Sequence, residues 1–221
     1  MLTAANSLTL ADGSAHPTGV WAEELVVAHR ELKAAGVEIV LTTPGGAPSP
    51  VDPGSLTVDG GDEFAAYLAT ISGELQHPAD PASQNAADFD AIVIPGGQGP
   101  MADLATDADA GALLIAALEA GLVIAPFCHG PAALLSAVRA DSSFAFAGRR
   151  LAAFTDDEER TGGLGAGAPW LLSGTLAERG AVVEAGDAWS SHVVVDGRLV
   201  SGQNPQSSDA VAAQVLALLA D

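Results

Sequence analysis

One cysteine, Cys128, stands in 221 residues, so no disulfide can form within the chain and a reducing compartment, the cytoplasm, is the expected location. Basic residues are scarce: eight Lys and Arg against 28 Asp and Glu leave a formal charge of −20, a field that repels phosphate backbones and anionic headgroups. Nucleic acid and membrane surfaces are therefore excluded as expected partners. Long apolar runs are also missing. The longest, Gly111 to Phe127, is interrupted by Glu119 and Gly121 and falls short of the ~20 residues that span a bilayer. The opening MLTAANSLTL has neither the basic nor the apolar region of a secretion signal. Charged residues make up only 16% of the chain and hydrophobic ones 48%, which excludes charge-driven disorder. One α/β domain over residues 1–221 is the simplest expectation.

What is present alternates between two periods, strand and helix by turns, as in a mostly parallel sheet covered on both faces. Trp21, Leu25, Ala28, Leu32 and Ala35 recur at helical spacing, and Gly36 marks the helix end. The β-branched stretch Val37 to Thr42 predicts a strand buried on both faces, ended by Pro44-Gly45-Gly46. Further strands are predicted over Ala91–Ile94 and Leu122–Phe127, each running into a turn and then a helix. A short helix is expected near Phe64 to Leu75. A closing helix carries Val211, Val215, Leu218 and Leu219 on one face, capped by Ser207 or Ser208.

The turns at the carboxyl ends of strands are where α/β sheets bind ligands. Cys128-His129-Gly130-Pro131 lies in one of them, before the apolar helix expected from Ala132 to Val138. A sharp turn exposes the sulfur, a helix amino terminus favours thiolate, and the adjacent imidazole can take the proton: the layout of a nucleophile elbow. Alone, a cysteine after an apolar strand reads as an inert core residue. The second turn, Pro95-Gly96-Gly97-Gln98-Gly99, changes the balance, because paired glycines can present backbone N–H groups to a developing oxyanion. No Lys-Ser/Thr follows to make a phosphate loop. His16, His29, His77 and His192 lack ligand spacing, so neither metal nor cofactor is expected.

In order along the chain, Gly19-Val-Trp-Ala-Glu-Glu24, Thr43-Pro-Gly-Gly46, Asp52-Pro-Gly-Ser55, Asp90 through Gly97, Cys128-His-Gly-Pro131, Phe154-Thr-Asp-Asp-Glu-Glu159 and Gly202-Gln-Asn-Pro205 resemble the ThiJ/PfpI superfamily. The resemblance implies the class I glutamine amidotransferase-like, flavodoxin-like fold, a three-layer α/β sandwich. Within that superfamily the chain is similar to the branch of small heat-shock chaperones and glyoxalase III enzymes. By this resemblance Cys128 is the nucleophile and His129 its proton-handling partner. Glu24 is the buried glutamate beside the cysteine, with Glu23 as the alternative, and Glu159 is the acid that orients His129. Asp156, Asp157 and Glu158 crowd the same segment, and Thr155 with Glu158 has the spacing of a capping box. The N–H groups of Gly97 and His129, with Gly96 alongside, form the implied oxyanion hole.

Gln98 stands where many relatives have histidine and Ala28 where many have proline, and neither is expected to touch the thiol chemistry. The chain has no expected room for the extra small domain of the larger chaperones, and the glycine-rich Thr161–Ala168 is a candidate lid. The implied activity is conversion of a small 2-oxoaldehyde such as methylglyoxal to a 2-hydroxy acid, without glutathione, by a homodimer. Two competitors remain: a thiol-dependent deglycase, amidase or peptidase, and a non-enzymatic chaperone or redox sensor.

Overall fold

The computed structural model describes residues 1–220. In chain order the elements are β1 (Ser7–Thr9), β2 (Ala15–Pro17), α1 (Ala22–Ala34), α2 (Gly61–Thr70), α3 (Ser72–Gln76), β3 (Ala91–Ile94), α4 (Gly99–Ala102), α5 (Ala108–Ala120), β4 (Val123–Pro126), β5 (Arg150–Leu151), α6 (Asp156–Gly162), α7 (Leu172–Glu178), β6 (Val182–Val183), β7 (Val193–Asp196), β8 (Leu199–Gly202) and α8 (Ser208–Ala220). The central sheet has the order β3-β4-β8-β7, with β3, β4 and β8 parallel and β7 antiparallel to β8.

Alternation along β4 makes the layers. Val123, Ala125 and Phe127 point to one face, where Ala28 and Leu32 of α1 and Val211 and Val215 of α8 cover them. Ile124 points the other way, into a larger core with Leu113 and Leu114 of α5 and with Leu134. Helices thus bury both faces of a mostly parallel sheet, the three-layer α/β sandwich expected of a flavodoxin-like fold.

The first helix ends as predicted, Gly36 adopting φ 83° just beyond it. Four other expectations are corrected. The helix near Phe64 to Leu75 is two helices, α2 and α3, broken at Ile71. The helix after the elbow is a 3-10 helix, Gly130–Ser136. Ser207 and Ser208 do not act as caps for α8: the Ser207 hydroxyl accepts the His192 N–H and not one from the helix, and the Ser208 hydroxyl donates to Pro205 O.

The fourth is the stretch Val37 to Thr42, which forms no strand. Its pairing is confined to the end, where Leu2 N–H donates to Thr42 O at 2.7 Å and Ala79 N–H to Leu41 O at 2.8 Å. The flank of residues 37–41 opens onto a cavity of about 690 Å³ that Ala91, Ile92 and Val93 of β3 line from the other side. A ladder needs a neighbouring backbone, and residues 37–40 pair with none.

Candidate active site

Two strand ends and the segment after β5 clamp the elbow. Phe127 N–H donates to Ile94 O at the end of β3, Cys128 N–H to Gly202 O at the end of β8, and Phe154 N–H to Cys128 O. Cys128 is held at φ 55°, in the left-handed region that non-glycine residues seldom occupy, and only 4% of it is exposed.

Gly96 and Gly97 must lack side chains. A Cβ on Gly96 would come within 2.5 Å of the His129 nitrogen, and one on Gly97, itself at φ 80°, within 2.7 Å of the Trp21 nitrogen. This close approach brings the backbone N–H groups of Gly97 and His129 near the Cys128 sulfur, where both act to lower the thiol pKa. It also brings in α1, because Trp21 N–H donates to Gly96 O at 3.0 Å.

Glu24, in the first turn of α1, is fully buried and accepts the Gly96 N–H on Oε2 at 2.5 Å. Its carboxyl interacts with the Cys128 thiol. Burial raises its pKa to about 8, against the opposing hydrogen bonds from Cys128 and Gly96, so the carboxyl holds its proton at neutral pH. Burial, followed by the charge of Glu24, pushes the Cys128 thiol well above its ordinary value. The elbow therefore does not favour a free thiolate, contrary to the sequence expectation: a buried site with a carboxyl in contact outweighs two N–H dipoles at a 3-10 turn. Glu23 is not part of this pair.

His129 bridges the sulfur and the third acid. Its Nδ1 lies 3.4 Å from Cys128 Sγ and its Nε2 2.8 Å from Glu159 Oε2. Glu159 is held below the ordinary carboxyl value: burial opposes this, and the hydrogen bond and charge of His129 with the N–H of Leu164 outweigh it. The acidic run is thereby sorted. Asp156 accepts from Ser173, Asp157 pairs with Arg160, and Glu158 completes the capping box with Thr155, leaving Glu159 alone on the imidazole.

Gln98 is a correction, since its amide donates to Glu159 Oε1 at 3.3 Å, one residue removed from the imidazole. The glycine-rich segment is tied at two points, by Leu164 N–H to Glu159 Oε1 and by Ala11 N–H to Gly167 O. Two aromatic rings complete the wall: Phe154, 4.4 Å from the His129 ring, and Trp189, 5.5 Å from Phe154. Sequence reasoning gave neither a role. Of the remaining motifs, Asp52 binds Gly54 N–H and the Thr18 hydroxyl and so shapes its own turn, and the Gln203 and Asn204 side-chain amides reach Glu158.

The chain as a whole also resembles known proteins. The sequence profile of the DJ-1/PfpI family matches residues 17–218. The chain belongs to the DJ-1/PfpI family. Among curated relatives, the protein/nucleic acid deglycase HchA of Pseudomonas aeruginosa is 27% identical over 217 residues, covering 91% of this chain and 73% of that protein. The Rapid Encystment Protein of 24 kDa from Francisella tularensis superposes with a TM-score of 0.86 at 26% identity, over 99% of this chain and 96% of the other. Glyoxalase III from Candida albicans superposes with a TM-score of 0.81 at 25% identity, over 98% and 94%. The relatives thus include a named deglycase and a named glyoxalase III. No helix among the described residues is long and apolar enough to cross a membrane.

Proposed function

We propose that this protein is a glutathione-independent glyoxalase, converting a small 2-oxoaldehyde such as methylglyoxal to the 2-hydroxy acid with no cofactor. The observation that carries the proposal is the fully buried Glu24, whose carboxyl accepts the N–H of Gly96 in the glycine turn that abuts Cys128 and whose pKa burial raises. An acyl transfer needs a nucleophile, a base and an oxyanion hole. A second buried carboxyl at the sulfur is what a proton shift on the substrate's own carbon needs.

The tautomer of His129 sets the first step. The Glu159 carboxylate accepts the Nε2 hydrogen, which leaves Nδ1 as an acceptor facing the thiol. Cys128 Sγ adds to the aldehyde carbon, C1; its proton passes to His129 Nδ1, and Glu24 donates its own proton to the C1 oxygen. Gly97 and His129 N–H groups stabilise the charge that develops on that oxygen. Glu24, now a carboxylate, removes the C1 hydrogen as His129 protonates the C2 oxygen, giving an enediol. The hydrogen then returns to C2 and the C1 oxygen gives its proton back to Glu24. The product is a thioester of the 2-hydroxy acid, with Glu24 and His129 restored. Water cleaves it to the acid and the free thiol.

A second reading is favoured by the HchA relatives, which are named protein/nucleic acid deglycases: the same thiol would attack a carbonyl-derived adduct on an amine. Lactate formed from free methylglyoxal, compared with amine released from a methylglyoxal-treated peptide, separates the two. The proposal expects the free aldehyde to be the faster substrate. A faster rate on the adduct would transfer the assignment to the second reading.

A further inference from the structure

The mechanism leaves one fully buried acid unused. Glu158, next to Glu159 in the first turn of α6, is 0% exposed and has no cationic partner. Its Oε2 accepts the Thr155 N–H at 3.0 Å and the Thr155 hydroxyl at 2.9 Å. Its Oε1 accepts the Trp189 N–H at 2.8 Å, the Gln203 amide at 3.0 Å and the Asn204 amide at 2.8 Å. Five neutral donors thus stand in for a counter-ion, which is how an unpaired carboxylate is tolerated in an interior.

A capping box alone uses only the first of these contacts, paired with the Glu158 N–H donating to the Thr155 hydroxyl, and the second comes from the same cap residue. The other three come from the loop before β7 and from the turn after β8, the strand whose last residue, Gly202, binds Cys128 N–H. The carboxylate therefore joins the segment carrying Glu159 to the turn that seats the elbow. It also fixes Trp189, whose backbone sits at φ 60° and whose ring meets Phe154, the ring lying against His129. Both contacts that hold the imidazole in place, Glu159 on Nε2 and Phe154 on the ring face, lead back to one side chain.

We propose that Glu158 is the positioning residue of the active site: its carboxylate ties the α6 amino terminus, Trp189 and the Gln203-Asn204 turn into one unit that holds His129 in register with Cys128. The role rests on the proposed thiol chemistry but not on the identity of the substrate, so it is tested at the thiol itself.

The experiment compares wild type with Glu158→Gln and Thr155→Val in two readouts: alkylation of Cys128 by iodoacetamide, followed by intact mass, and kcat and KM for methylglyoxal. Glutamine keeps the shape but turns one acceptor into a donor facing other donors; valine at 155 removes one donor to the carboxylate, together with the cap acceptor of the Glu158 N–H, and leaves the carboxylate. A displaced imidazole costs roughly 10–100-fold. The expected result is a folded Glu158→Gln protein with alkylation slowed and kcat lowered by about that factor, with KM within about threefold, and a smaller change of the same kind for Thr155→Val. A lowered melting temperature with wild-type alkylation and wild-type kcat would overturn the proposal, leaving Glu158 a purely structural acid. If Glu158→Gln fails to fold, Thr155→Val decides by the same criteria. If the wild type does not turn over methylglyoxal, alkylation alone decides, and that failure counts against the glyoxalase reading only.

Discussion

Glu159 Oε2 lies 2.8 Å from His129 Nε2, and this contact determines which imidazole nitrogen meets the sulfur. With the hydrogen fixed on Nε2, Nδ1 faces Cys128 Sγ as a base. Glu159→Gln keeps a side chain of the same length but removes the charge and allows the opposite tautomer. A fall in kcat/KM of about 10²–10⁴ is expected, with little change in melting temperature. Retained activity would place the orienting charge elsewhere.

Glu24→Gln preserves an oxygen for the Gly96 N–H, so the fold should persist while catalysis is lost by a comparable factor. The same variant has a stability signature. A carboxyl whose pKa rises from about 4.3 unfolded to about 8 folded binds more protons in the native state between those values, so it lowers stability as pH increases through that window. Glutamine cannot titrate. Melting temperatures of the two proteins should therefore converge near pH 4 and diverge in favour of Glu24→Gln toward pH 8. Parallel curves would mean that Glu24 is not held protonated.

Glu159 and Glu158 act in the opposite direction. Both are held below the ordinary carboxyl value, so they stabilise the native state above the unfolded pKa near ~4.3, and that contribution is lost as pH falls beneath it. The wild type should lose melting temperature on acidification from pH 5 to pH 3, and Glu159→Gln should lose less. Identical losses would show that neither the His129 hydrogen bond nor its charge sets the Glu159 pKa.

Gly97→Ala would place a methyl group 2.7 Å from the Trp21 nitrogen on a backbone at φ 80°. The strain alone is worth about 1–3 kcal/mol, and relieving it moves the N–H aimed at the sulfur. Reduced urea stability together with loss of activity is expected. An unperturbed variant would remove Gly97 from the oxyanion hole.

The strand over Leu122–Phe127 is written plainly in the chain, as is the helix ended by Gly36, because both follow from local composition and spacing. The elbow and the glycine turn were legible for the same reason, and the family motifs pointed to Glu24 and Glu159. Long-range geometry was not legible. Residues 37–42 have the composition of a strand, yet a strand exists only where another backbone lies alongside. Gln98 was set aside because nothing local shows that its amide reaches Glu159, and Glu158 read as a capping acid because its three further donors come from residues 189, 203 and 204. The thiol pKa was misread because burial and a carboxyl brought in from α1 are tertiary effects.

The most direct test of the central claim is lactate formation from methylglyoxal with glutathione absent, followed by proton NMR for wild type and for folded Cys128→Ala and Glu24→Gln. The account predicts stoichiometric lactate from the wild type and essentially none from either variant. Lactate from Cys128→Ala at the wild-type rate, or none from the wild type while a methylglyoxal adduct is cleaved, would contradict it.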